Sequence, residues 1–243
     1  MTKIKQKIAS DFKYSQNFYL KKRKKKEVKF IIIHYTGMRS EKKALQRLTS
    51  SKSNVSCNYF IRSNGKIIEV VPDEYASWHA GVSRWKNKRF LNKSSIGIEI
   101  QNPGHQNKYV KFSKKQINSI LKLLKFLVKK YKIHKNFVLG HSDISPDRKK
   151  DPGEKFPWKT LSQNKLSVWH NLSNAYLMIN RKKKLNFHEI KMFHKILKKI
   201  GYRGVNQKKL NKTFQRRFRP DLINGFIDQE CFVIAKNLIK LGI

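Results

Sequence analysis

Between Gly140 and Trp158 the chain reads GHSDISPDRKKDPGEKFPW, and this stretch holds residue types suited to metal chemistry. His141, Lys149 and Asp151 fall close together there, on a loop stiffened by Pro146, Pro152 and Pro157. An imidazole and a carboxylate can hold a divalent metal if the loop folds back on itself, but such a site needs a third ligand. His34 is the best candidate. It ends the apolar run Phe30-Ile31-Ile32-Ile33, and a strand terminus is a rigid platform for a ligand. Two imidazoles, one carboxylate and a position left to water form the pattern of a catalytic zinc site, not a closed structural one. Each piece also has an ordinary reading: a His after an apolar run is commonly packed, and Asp-Pro-Gly and Ser-Pro-Asp are common turn sequences.

Residues so distant along the chain must be gathered by regular elements. Phe30 to His34 is a short β-branched run that suits a strand buried on both faces. Ser40 to Leu48 carries Ala44, Leu45 and Leu48 at helical spacing. Asn58 to Arg62 and Lys66 to Val71 flank Ser63-Asn64-Gly65, a hairpin signal that makes the sheet mixed. Along Ser95 to Gln101 the alternation puts Glu99 on a face with Gly97 and Gln101, opposite Ile96, Ile98 and Ile100. Burying a carboxylate in an apolar strand is costly unless it has a partner or a purpose. Ser113 and Gln116 form a capping box, and Ile117, Ile120, Leu121, Leu124 and Val128 then make one apolar stripe to about Tyr131. Phe137 to Leu139 is the strand expected to deliver His141. The fold class is therefore α/β, a mixed central sheet covered by helices.

Four segments, FIIIHYTG, VSCNYFIRSNGKIIEVVPDEYASWHAG, SSIGIEIQNPG and GHSDISPDRKKDPGEKFPW, occur in that order over most of 30–158. Together they resemble the zinc-dependent N-acetylmuramoyl-L-alanine amidases, the family that includes the peptidoglycan recognition proteins. Within it the chain looks nearest to the bacterial branch that trims cell-wall fragments. The resemblance implies one Zn²⁺ held by His34, His141 and Asp151, with Glu99, at the IGIE position, as general base. It singles out Lys149 as the cation beside the oxyanion; by composition alone Lys149 is one surface lysine among many. It also implies substrate contacts at His79, in SWHAG, whose other reading is packing beside Trp78, and at Asn58, where related enzymes usually carry a His. Arg148 is a further candidate, because its planar fork suits a peptide-stem carboxylate. His105, His134, His170, His188 and His194 match no role and read as surface or helix-face residues.

The implied reaction is hydrolysis of the amide between N-acetylmuramic acid, in intact wall or in 1,6-anhydro fragments, and L-alanine. Its partner is therefore peptidoglycan or a muropeptide, and the chain is expected to act as a monomer. Two rivals come from other classes: a peptidoglycan-recognition module that binds without cutting, and a basic nucleic-acid-binding protein. The second draws on 56 Lys+Arg against 15 Asp+Glu, a formal charge of +41 over 243 residues. That charge attracts any polyanion, but lysine is scattered through every segment, so no specific nucleic-acid partner is expected.

Cys57 and Cys231 lie far apart and carry no disulfide or thiol-metal signal. No secretory signal or membrane span is readable; by sequence the chain is cytoplasmic, whereas the resemblance points to the cell envelope. Residues 1–28 read as a basic, poorly ordered arm whose later part is expected to pack on the catalytic domain, 29–160 as the zinc amidase domain and 161–184 as a connecting helix and linker. Residues 185–243 read as three short helices: one capped by Asn186 with Glu189 and ending at Gly201, one over about 207–218, and one over about 228–241. This small bundle resembles the helical peptidoglycan-binding modules of wall hydrolases; the other reading is a helical cap on the catalytic domain.

Overall fold

The computed structural model describes residues 8–243. Its centre is a six-stranded sheet in the order β1-β5-β4-β9-β3-β10. These strands are β1 (Asp11–Phe12), β3 (Phe30–Tyr35), β4 (Tyr59–Ile61), β5 (Ile67–Glu69), β9 (Ser95–Ile100) and β10 (Val138–Gly140). The β4–β5 hairpin turns at Asn64-Gly65 and is the antiparallel pair; β3, β9 and β10 run parallel at the sheet's centre and edge. The sheet is mixed, as the hairpin signal predicts.

β3 passes between two cores. Ile31 and Ile33 pack with Ile96, Ile98 and Ile100 beneath helix α2 (Lys114–Tyr131), which contributes Ile120, Leu123, Leu124 and Leu127. Phe30 and Ile32 point the other way, into a core shared with the C-terminal helices. A strand covered on both faces has no use for alternation, which explains the unbroken apolar run. Helix α1 (Glu41–Thr49) starts at the Ser40 cap, and α2 starts at the capping box of Ser113 and Gln116. Both starts are where their sequence signals stand.

Over its described part the basic arm packs against the sheet, while residues 1–7 lie outside the described residues. From Ile8 onward the chain is fastened to the sheet, for β1 pairs in parallel with β5, and β2 (Phe18–Tyr19) pairs with β6 (Ala76–Ser77); a separate short hairpin joins β7 (Arg84–Trp85) and β8 (Lys88–Arg89). The Arg23 guanidinium donates to the carbonyls of Asp73 (2.9 Å) and Ser95 (2.6 Å). Two-residue strands are too short to show a period, so the sequence displays only the charge.

Past Trp158 come α4 (Trp158–Gln163) and α5 (Asn174–Asn180), then α6 (Phe187–Ile200), α7 (Gln207–Phe218) and α8 (Gln229–Lys240). Asn186, Asn206 and Asp228 cap the last three. Phe193, Leu197, Ile200, Phe214 and Phe218 join Ile32, Leu139 and Ile144 in one continuous core. The helices are thus sealed onto the sheet face opposite α2. Among the described residues, no helix is long and apolar enough to cross a membrane.

Candidate active site

Parallel pairing puts three functional side chains at one level. His34 on β3 is in register with Glu99 on β9, and Gly140 on β10 is in register with Ile33, so the next residue, His141, stands beside His34. All three lie at the carboxyl ends of adjacent parallel strands, where α/β sheets form their clefts. His34 and Glu99 project from the same face as Ile32 and Gly97. His141 opens the single-turn helix α3 (His141–Ile144), and the loop after it returns Asp151, whose carbonyl accepts from the Ser142 amide at 2.8 Å.

His34 Nδ1 lies 2.9 Å from His141 Nδ1 and 3.1 Å from Asp151 Oδ2, and His141 Nδ1 lies 3.1 Å from the same oxygen. The outer hydrogen bonds decide the tautomers. His141 Nε2 faces the Ala80 carbonyl at 3.1 Å, which can only accept, so Nε2 carries the proton and Nδ1 a lone pair. Ser95 Oγ donates to Leu91 O at 2.6 Å, so it accepts from His79 Nε2 at 3.0 Å. His79 Nδ1 is then an acceptor for His34 Nε2 at 3.0 Å, which leaves His34 Nδ1 a lone pair as well. Three acceptors therefore converge, each about 3 Å from the others, with no proton to share. Such a group repels itself unless a cation sits among them, and the donor set fits a metal. Buried ligands of this kind with outer partners fixing each ring are the usual build of a metal centre.

Burial, with repulsion from His141 second, lowers the His34 pKa to about 4, which keeps the imidazole neutral and able to bind. Burial works to raise the Asp151 carboxyl, but positive charge and hydrogen bonding from His141 and His34 outweigh it and hold the acid well below its ordinary range, a stabilisation that a cation among the three acceptors would supply in their place. Glu99 behaves oppositely. Burial, reinforced by Asp151 and opposed by Lys149, pushes it up to about 8, and its Oε2 is buried without a hydrogen-bond partner. A cavity of about 460 Å³ is lined by His34, Glu99, His141, Lys149 and Asp151, so it brings together the five residues that the sequence selects.

The remaining candidates are placed differently. His79 borders the cavity but spends both ring nitrogens on His34 and Ser95. Arg148 lies at the rim, with Nη2 on the carbonyls of Ala80 and Val82, both at 2.7 Å. Asn58 does not line the cavity. It is fully buried, donating to Val71 and Tyr75 carbonyls and accepting from Ser77 Oγ and the Gly97 amide, so a substrate contact is corrected to an internal brace.

Sequence reasoning missed His105, read as a surface residue. It bridges Tyr35, at 2.8 Å, and Glu154, at 3.0 Å, beside the cavity. The role of Gly97 did leave a signal, a glycine inside an otherwise β-branched strand. A Cβ there would stand 2.4 Å from the His79 ring.

Residues 24–154 match the family model described as N-acetylmuramoyl-L-alanine amidase. The chain belongs to that family. Over 231 residues it is 32% identical to N-acetylmuramoyl-L-alanine amidase AmiD of Escherichia coli strain K12, covering 88% of this chain and 83% of that protein. The amidase AmpD of Haemophilus influenzae, named for 1,6-anhydro-N-acetylmuramyl-L-alanine, is 39% identical over 106 residues, or 43% of this chain and 55% of AmpD. Among amidase structures, E. coli AmiD in complex with anhydro-N-acetylmuramic acid-L-Ala-D-gamma-Glu-L-Lys aligns with a TM-score of 0.79 and 31% identity, over 88% of this chain and 90% of that one. AmpDh3 of Pseudomonas aeruginosa with an anhydromuramic pentapeptide gives 0.77 and 28%, over 89% and 93%. The amidase likeness thus extends through most of the C-terminal helices as well as the sheet.

Proposed function

We propose that this chain is a zinc-dependent amidase that hydrolyses the bond between N-acetylmuramic acid, including its 1,6-anhydro form, and L-alanine. The observation that carries this reading is the convergence of His34 Nδ1, His141 Nδ1 and Asp151 Oδ2 as three lone pairs, with the Glu99 carboxyl alongside. His34, His141 and Asp151 would hold Zn²⁺, which when bound would supply polarisation of the scissile carbonyl and a water acidic enough to be deprotonated at neutral pH.

Glu99 is the proton carrier. A cation at the neighbouring acceptors would favour its ionised form against burial; its unpartnered carboxylate oxygen then takes the proton of the attacking water, and the acid so formed gives it to the leaving amine of L-alanine. Lys149, half-buried in the cavity wall, sets an ammonium beside the oxyanion that develops on the lactyl carbonyl. His79 acts on His34, fixing the face it presents, and Arg148 keeps Nη1 for a carboxylate of the peptide stem. One chain supplies every residue, so a monomer suffices.

Purified protein incubated with anhydromuropeptides is expected to release the intact peptide, detected by mass spectrometry. Complete zinc removal should abolish release and zinc should restore it. Peptide release that survives full removal would overturn the reading.

A further inference from the structure

The C-terminal helices reach the metal centre through one buried ion pair. Asp143, on α3 two residues after His141, accepts at Oδ2 from the Gly140 amide (2.7 Å) and from the Arg217 guanidinium of α7, and at Oδ1 from the Tyr202 hydroxyl (2.8 Å). Arg217 also donates to the Val138 carbonyl on β10 (3.1 Å) and to Ser167 Oγ (3.2 Å), and its guanidinium lies over the Trp158 ring. All three side chains are buried. The turn after α3 is held by the same part of the chain: the Asp147 carboxylate accepts the amides of Val205 (3.0 Å) and Asn206 (2.9 Å), where α7 begins.

We propose that Arg217 and Tyr202 are positioning residues for the metal ligand His141, so that the C-terminal helices form part of the metal centre's support. This rests on the zinc reading above. A single helical turn does not hold itself in place, so the position of α3 is set by what grips it. On the C-terminal side the grip is the Asp143 carboxylate, which ties down the amide of Gly140, the residue immediately before His141. A buried carboxylate is stable only when paired, and Arg217 is its ion-pair partner among the described residues. Releasing Arg217 or Tyr202 lets Asp143 turn away, and His141 Nδ1 drifts from its 2.9 Å and 3.1 Å neighbours.

The test is zinc affinity, read by chelator competition on metal-stripped, folded protein, with far-UV circular dichroism confirming the fold. Arg217→Met is expected to weaken zinc binding by about tenfold or more, at the low end of what loss of an outer partner does. Tyr202→Phe removes only one hydroxyl and keeps the ring against Trp85, so it tests the idea should Arg217→Met fail to fold; a smaller loss, about threefold, is expected from one missing hydrogen bond to a charged group. Arg217→Lys should recover part of the affinity. Arg219→Met, which breaks an ion pair confined to the C-terminal helices, should lower the melting temperature with zinc affinity unchanged. Wild-type protein that binds no zinc would overturn the metal-centre reading itself. Wild-type affinity in a folded Tyr202→Phe, or equal losses in Arg219→Met, would overturn the positioning role alone.

Discussion

The C-terminal helices and the end of the central sheet both bury charged side chains, and they do so in opposite ways. Arg219 faces Asp228 and Glu230, and Arg181 reaches Glu230 from the other side. Both buried acids there have a guanidinium. At the sheet end, His34, His141 and Asp151 are equally buried, but all three present acceptors to one another. A buried cluster in which opposite charges face one another is neutralised as it stands, even with Arg219 Nε left without a partner. One that leaves like groups facing, with a raised and unpartnered carboxyl at Glu99 next to it, is complete only with something added. The contrast separates function from architecture without reference to which residue types are present.

Substitutions on either side can break this contrast. The largest effect is expected from Glu99→Ala, which should keep its zinc and its fold yet lose at least about a hundredfold in rate, the scale of general-base catalysis. Steady-state rates beside metal content would measure it, and near-normal turnover would remove Glu99 from the role. Arg219→Met should do the reverse. It leaves Asp228 and Glu230 short of a partner, so denaturant unfolding should show a loss of about 3–5 kcal/mol, with the kcat of the folded fraction unchanged. Gly97→Ala sharpens the boundary, since its new methyl must displace the His79 ring that fixes His34. A stability loss of about 1–3 kcal/mol is expected from the overpacking, together with weaker zinc binding; a stability loss with zinc affinity intact would make the His79 link merely structural.

Much of this arrangement is legible in the sequence where the cause is local. The unbroken Phe30–Ile33 run, the Asn64-Gly65 turn, the Ser113–Gln116 box and the Asn186–Glu189 cap each declare an element from a few adjacent residues. That His34, His141, Asp151 and Glu99 meet at one cavity is legible only through family likeness, because no local pattern joins residues so far apart. What stayed hidden depends on distant partners. His79 acts on His34 only because Gly97 clears a space between strands, and Asn58, read as a substrate contact, turns inward because the loop after β5 offers it carbonyls. His105 is drawn to Tyr35 and Glu154 by the same fold that brings Asp151 home. The strand pairings of the arm leave no signal, because its strands are two residues each.

The level alignment of β9, β3 and β10 has a further consequence. Strand side chains alternate faces, so sliding β3 by a single residue would send His34 under α2 and bring Ile33 to the cleft mouth. No half-shifted form of the sheet would retain a fraction of the ligand geometry. Turnover in this molecule is therefore also a gauge of strand alignment, present in correctly paired chains and missing from every mispaired one.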